Sequence, residues 1–360
     1  MEENKPERRS RKDRSSVIGS TRTGRMMLYI LLGLAVCITV FMAVLYPMVM
    51  ITSDKEATIR IPANATEQTV RDTLNKYFDR DYTNSILRMS KLRRVNFATR
   101  HGSYTIPEGT NALGAMRKLT SGAQTPVRVT INGFRSLPLL IDRVSRKMEF
   151  PADSLTAVLN DRPFLAQYGL TPENAMALFI DDTYEFYWTT SARDMVKKIG
   201  ENYQFLWTDA RTSRAAELGL TPAGVMIIAS IVDEETNDRD EKGTIGRLYI
   251  NRLNSNMRLQ ADPTVRFALG DFTIQRITNA DLKKESPYNT YLHDGLPPGP
   301  IRTTSDDTVK RILDSEPSNY LYMCAKEDFS GSHNFASTYS EHIENAIRYQ
   351  AALDRQGIKR

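Results

Sequence analysis

The 360 residues include two cysteines and four histidines, and carry a formal net charge of +5. Cys37 lies in an apolar run and Cys324 far along the chain, so the two cannot pair within one chain, and no Cys/His group has the spacing of a zinc site; neither a disulfide scaffold nor a metal site is expected. Eight basic against four acidic residues put +4 of the +5 into residues 1–25; the remainder is near neutral and makes no electrostatic case for nucleic acid.

No charge occurs from Met26 to Ser53. Met26 to Tyr46 alone would form a helix of roughly 31 Å, enough to cross about 30 Å of hydrocarbon. A cleaved signal peptide is the competing reading. Against it stand the long charged region that precedes the run and the exit through Tyr46-Pro47-Met48-Val49-Met50, which has no small-x-small cleavage site. An uncleaved anchor over residues 26–51 is predicted. Basic residues crowd its N-terminal flank, and only Lys55 and Arg60 lie close behind it. The N-terminal tail is therefore expected in the cytoplasm and the rest outside.

A weak internal repeat follows. Ile59 to Thr66 leads into Val70-Arg71-Asp72-Thr73-Leu74, and 45 residues later Tyr104 to Thr110 leads into Leu113 to Leu119. Each reads as a short strand, a turn and a short amphipathic helix. A looser third copy is Val127 to Gly133 followed by Leu137 to Met148. Such units resemble the LysM-like modules of cell-wall proteins; a structural spacer near the membrane is the alternative.

From about residue 150 helical spacing dominates. Asp153 to Leu159, Thr171 to Phe179, Ala192 to Trp207 and Ser340 to Gln356 are predicted helices, with Thr-Pro starts at Thr171 and Thr221. Gly295-Leu296-Pro297-Pro298-Gly299-Pro300 interrupts the pattern as a stiff loop of the kind that can wall a cleft. The fold class expected is α+β: a transmembrane helix, a small LysM-like module over residues 52–125 and a mainly helical domain with irregular cleft loops over residues 126–360.

The most informative stretch is Ala229-Ser230-Ile231-Val232-Asp233-Glu234-Glu235-Thr236, three acids closing an apolar run. On a helix begun at Thr221, with Ile228 set to zero, Val232 falls near about 40° and Glu235 near about 340°, whereas Asp233 and Glu234 fall near about 140° and 240°. Glu235 thus continues the apolar stripe. A carboxyl there pays desolvation in its charged form, which raises its pKa and suits it to donate a proton. An ion pair from Glu235 to Arg247 or Arg252 is the structural alternative, and geometry alone leaves both open. The next hundred residues concentrate amides, aromatics and hydroxyls, the side chains of a sugar-binding groove.

Seven blocks occur in order: Ala229 to Thr236, Tyr249-Ile250-Asn251-Arg252-Leu253, Met257 to Thr264, Tyr288-Asn289-Thr290-Tyr291, Gly295 to Ile301, Tyr320-Leu321-Tyr322 and Gly331 to Phe335. Together they closely resemble the membrane-bound endolytic murein transglycosylases of bacteria, the MltG or YceG-like family. The resemblance runs from the span to the C-terminus and implies that the catalytic acid is Glu235, the second glutamate of the family's E-x-E-T block. Three departures stand beside the motifs: Asp233 at the first acid, Ala261 in place of a small hydroxyl residue, and Arg302-Thr303-Thr304-Ser305 after the proline loop.

The resemblance implies non-hydrolytic cleavage of the MurNAc-GlcNAc bond to a 1,6-anhydro end, with no cofactor, on the periplasmic face of the inner (cytoplasmic) membrane at nascent peptidoglycan strands beside the synthases, so that polymerisation ends there. Gln260, Asp262, Tyr288, Asn289 and His333 are the expected substrate contacts; loop structure is the alternative for each. Two rival functions remain. A hydrolytic muramidase would need a second carboxylate, for which Asp262 and Asp233 are candidates. A non-catalytic wall-binding anchor would work through the repeats alone. Serine acyl-enzyme chemistry is disfavoured, because S-x-x-K, K-[ST]-G and G-x-S-x-G are all missing.

Overall fold

The structure is a computed structural model and describes residues 22–274 and 276–357. The chain divides into two compact units, one up to Thr125 and one from Pro126. The first begins with helix α1 (Arg22–Val40), continued by a π-helical turn at Phe41–Leu45 and by α2 (Tyr46–Met50). Its segment Arg22–Ala43 is 22 residues long with a mean hydropathy of 2.5, and none of it is buried. An apolar helix with no protein around it needs another apolar medium, and its length matches a bilayer. Apart from Arg22 and Arg25, the basic residues of the N-terminal tail lie outside the described residues.

Strand β1 (Ala57–Ile61), α3 (Glu67–Asn75), α4 (Arg80–Leu92), β2 (Gly102–Ile106) and α5 (Ala112–Ser121) complete this unit. β1 and β2 are antiparallel, with Ala57 opposite Ile106 and Ile61 opposite Gly102. Strict alternation turns Ala57, Ile59 and Ile61 inward. They meet Leu74 of α3, Ile86 of α4 and Met116 and Leu119 of α5 in one core. Each full burial of this kind stabilises by about 1.5–3 kcal/mol. The caps follow from sequence: Thr66, Asp79 and Asn111 each accept a backbone N–H of the first turn. The two strand-turn-helix repeats are therefore present, with α4 inserted between them.

The third copy belongs elsewhere. Its strand, β3 (Val127–Ile131), pairs antiparallel in the second unit with β4 (Asp182–Phe186), a strand that sequence reading left unassigned. Between them lie α6 (Leu137–Ser145), α7 (Ala152–Leu159), α8 (Arg162–Ala166) and a 3-10 helix at Pro172–Leu178. The last was expected as an α-helix from Thr171 to Phe179. Its threonine start is real, with Asn174 closing a capping box, but the turns are tighter.

Seven α-helices and a hairpin follow: α9 (Ala192–Leu206), α10 (Asp209–Glu217), α11 (Pro222–Glu235), α12 (Lys242–Asn254), α13 (Asp262–Leu269), α14 (Asp306–Leu313), then β5 (Tyr322–Ala325), β6 (His333–Ala336) and α15 (Tyr339–Arg355). Helix α11 is the axis of this unit. Thr221 Oγ1 accepts the Gly224 N–H at 3.1 Å, Pro222 occupies the first turn, and all residues from Ala223 to Val232 are buried. Such a helix, apolar all round, is stable only with neighbours on every face. One neighbour is α14, which α12 approaches closely: a Cβ on Gly246 would lie 2.6 Å from Ile312 Cγ1. Another is the proline loop, whose Ile301 N–H donates to Ser230 Oγ at 3.0 Å inside the core.

Candidate functional site

Helix α11 ends where Thr236 turns extended (φ −144°, ψ 142°), and the three acids just before it face three environments. Asp233 accepts from Lys242 Nζ at 2.6 Å and from the Thr304 and Thr308 hydroxyls. Glu234 is clasped by Arg135 at 2.8 Å and Arg302 at 3.0 Å. Glu235 faces a cleft of about 390 Å³, and its carboxylate oxygen accepts the phenol hydrogen of Tyr249, on α12, at 2.6 Å. Among the described residues no ion pair is formed to Glu235. Arg247 instead donates to the Ser315 carbonyl and Arg252 to the carbonyls of Leu321 and Leu259.

Burial therefore acts on Glu235 without a cation in contact. It pushes the carboxyl from the ordinary 4.5 up to about 7; the Tyr249 hydrogen bond pulls the other way and nearby Asp262 pushes further up. The same burial, together with Glu235, holds the Tyr249 phenol well above its usual value, so it stays a donor. A carboxyl poised at this point gives and takes a proton near neutral pH.

The rest of the cleft is built from two places. One is the turn from Leu259 to Asp262. Gln260 sits there in the left-handed region (φ +50°), its N–H donating to the Thr290 carbonyl at 3.2 Å. Buried hydrogen bonds among Ala261, Thr264 and Thr290 hold the turn, at 2.7–3.0 Å. Asp262 opens α13 and accepts from Tyr291 Oη at 2.6 Å. The other is the β5–β6 hairpin with α15. His333 gives its backbone N–H to Glu241 Oε1 at 2.7 Å, and its Nδ1 lies 2.9 Å from Glu241 Oε2. Arg252 ties the two places together, since its guanidinium reaches Leu259, Leu321 and, at 3.4 Å, the Gln260 amide oxygen.

Of the residues singled out from sequence, Glu235, Gln260, Asp262 and His333 line this one cleft. Tyr288 and Asn289 do not. Tyr288 packs its ring 4.6 Å from that of Phe267. Asn289 is wholly buried, donating to the Leu282 and Lys284 carbonyls and accepting the Tyr291 N–H, so its amide holds the turn that presents Tyr291. The proline loop is no cleft wall here either. Gly299 passes against the 3-10 helix, where a Cβ would collide with the Glu173 carbonyl oxygen, and Ile301 is buried. Arg302-Thr303-Thr304 has a structural use instead: Arg302 and Thr304 hold the first two acids, and Thr303 bonds Asp181 and the Phe134 backbone.

Sequence reading missed Tyr249, Tyr291, Arg252 and Glu241 as parts of the site. Tyr249 and Arg252 lie in one of the quoted blocks, so a signal was present; Glu235 as the partner of Tyr249, 14 residues away, and Leu321 as a partner of Arg252, 69 away, could not be read from spacing.

Comparison with known proteins bears on the same region. A family model described as "YceG-like family" matches residues 59–348. The endolytic murein transglycosylase of Bacillus subtilis (strain 168) is 26% identical over 264 residues, 69% of this chain and 72% of that protein. That of Streptococcus pneumoniae serotype 2 (strain D39) is 28% identical over 134 residues, only 24% of its own length. A crystal structure of a YceG-like protein from Listeria monocytogenes superposes with a TM-score of 0.54 at 24% identity, over 81% of this chain and 99% of that one, a likeness of fold. With four-fifths of its length inside the family model and the same architecture in a solved relative, the chain belongs to the YceG-like family.

Proposed function

We propose that this chain is a membrane-anchored endolytic murein transglycosylase with Glu235 as its single proton carrier. The observation that carries the reading is a carboxyl in a cleft, without a contacting cation, raised by burial to about 7 and aimed by Tyr249. Glu235 protonates the glycosidic oxygen between N-acetylmuramic acid and N-acetylglucosamine, and the C1–O bond breaks. The acetamido group steadies the oxocarbenium centre. The sugar's own C6 hydroxyl oxygen then bonds to C1 and returns its proton to Glu235, leaving a 1,6-anhydro end with no water consumed. General acid–base help of this kind is worth about 10²–10⁴ in rate. Gln260 and His333 contact the sugar.

The apolar helix anchors the enzyme in the cytoplasmic membrane with the tail inside and the cleft outside, so it meets nascent strands near the synthases and limits their length. The first unit's order of strand, two helices and antiparallel strand supports the LysM-like reading over residues 52–125, with the catalytic domain following over residues 126–360.

One observation favours a second reading. Asp262 shares the cleft with Glu235 and could activate water in a hydrolytic muramidase. Digestion of purified glycan strands in heavy-oxygen water separates the two. We expect unlabelled fragments lighter by one water than hydrolytic ones, in a spread of lengths; label at the new reducing end would contradict the proposal and make Asp262 the base.

A further inference from the structure

The chemistry at Glu235 leaves a group of rings in the same cleft without a use. Tyr322 on β5 and His342 on α15 both line it. Their rings stack, with centroids 5.3 Å apart and planes 22° from parallel. Tyr339, at the start of α15, lies 5.8 Å from Tyr322 and 6.2 Å from His342. The Arg252 guanidinium sits 5.6 Å from the centre of the Tyr322 ring. Because Arg252 also bonds the Leu321 carbonyl at 2.8 Å, the strand that bears Tyr322 is fixed to α12, the helix that aims Glu235 through Tyr249.

Core packing is the ordinary reason for rings to touch, and three observations oppose it. Tyr339 is 63% exposed. Tyr320, Met323 and Phe335 of the hairpin pack on the core of the unit, and Tyr322 is not among its packing partners. The Nδ1 of His342 is enclosed without a hydrogen-bond partner among the described residues. A ring nitrogen left unmet in this way is a cost that plain apolar packing would avoid.

A pyranose ring offers a face of C–H groups with a rim of hydroxyls. Aromatic faces carry partial negative charge and attract those C–H groups, while polar atoms at the ring edges meet the rim. We propose that Tyr322, His342 and Tyr339 form a sugar-stacking subsite that holds an N-acetylhexosamine ring of the glycan away from the bond being cut. The proposal rests on the glycan-cleaving reading above and adds where the strand is gripped. It gives the enzyme a preference for strands long enough to reach both the ledge and Glu235.

The test uses the full chain in detergent, carrying Glu235→Gln to prevent turnover, and calorimetric binding of peptide-free murein glycan strands and of the N-acetylglucosamine hexamer. Tyr322→Ala and Tyr339→Ala should each weaken binding about tenfold, and Tyr322→Phe and Tyr339→Phe should retain it. With Glu235 intact, Tyr339→Ala should raise KM for long strands and leave kcat nearly unchanged; Tyr339 is exposed, so its loss leaves the core whole. Undiminished binding by both alanine variants would overturn the subsite. Failure of the parent chain to bind any strand would instead overturn the glycan reading on which the subsite depends.

Discussion

The two sides of the last turn of α11 carry the same kind of group and treat it in opposite ways. On one side Asp233 and Glu234, with side chains 7% and 5% exposed, meet Lys242, Arg135 and Arg302 and two threonine hydroxyls. On the other Glu235 meets a phenol and an open cleft. Paired burial turns a carboxylate into a fixture that joins α11 to α12, to the segment after β3 and to the segment before α14. Burial without a cation in contact makes a carboxyl hold its proton to about 7. Three consecutive acids thus divide into two clamps and, on the proposed function, one reagent, and the clamps fix the turn from which Glu235 points.

The sharpest way to break this contrast is to exchange the acids one at a time. Glu235→Gln keeps the shape but cannot transfer a proton, and glycan cleavage should fall about 10³-fold, read as product formation over time. Asp233→Asn and Glu234→Gln should keep much of the activity of each folded molecule. A dead Glu234 variant beside an active Glu235 variant would reverse the assignment. Next in size is the clamp. Lys242→Met strands the buried Asp233 carboxylate and should cost about 3 kcal/mol of stability in denaturant titrations, with activity per folded molecule retained. Smaller again is the aim of the acid. The Tyr249 hydroxyl stabilises the deprotonated form of Glu235, so Tyr249→Phe raises the pKa further. The acid form then persists to higher pH, and the alkaline limb of the kcat/KM profile should move up by roughly one pH unit.

How much of this was legible depends on how local each signal is. The start of α11 was readable because Thr221-Pro222 caps by contacts within one turn, and the face of Glu235 because about 100° per residue is a property of the helix alone. The strand-turn-helix repeat was readable from spacing. The partner of β3 was not, since β4 lies far along the chain and only the fold brings them together. The proline loop announced stiffness, but its packing on Ser230 and the 3-10 helix is a tertiary outcome, so its placement as a cleft wall failed. Asn289 looked like a ligand group, yet its amide is consumed by backbone carbonyls of its own turn. Tyr249 and Glu241 needed knowledge of how α12 crosses α11 and the hairpin.

The central claim, that the partly buried Glu235 carboxylate carries an energetic cost which its proton relieves, can be measured without substrate. Trp188 and Trp207, the two tryptophans of the chain, both lie in the second unit, so their fluorescence follows its unfolding alone. In the folded state the pKa of Glu235 is raised to about 7 from an ordinary 4.5. Between those values the folded chain binds more protons than the unfolded one, so stability falls as pH rises through that window and is fully present only below it. The amide introduced by Glu235→Gln does not titrate. The stability of that variant relative to the parent should therefore be constant below about pH 4.5, rise through the window, and level off above about pH 7 at a value about 3 kcal/mol higher. A difference that stays flat from about pH 4 to 8 would contradict the account, because Glu235 would then be an ordinary solvated carboxylate.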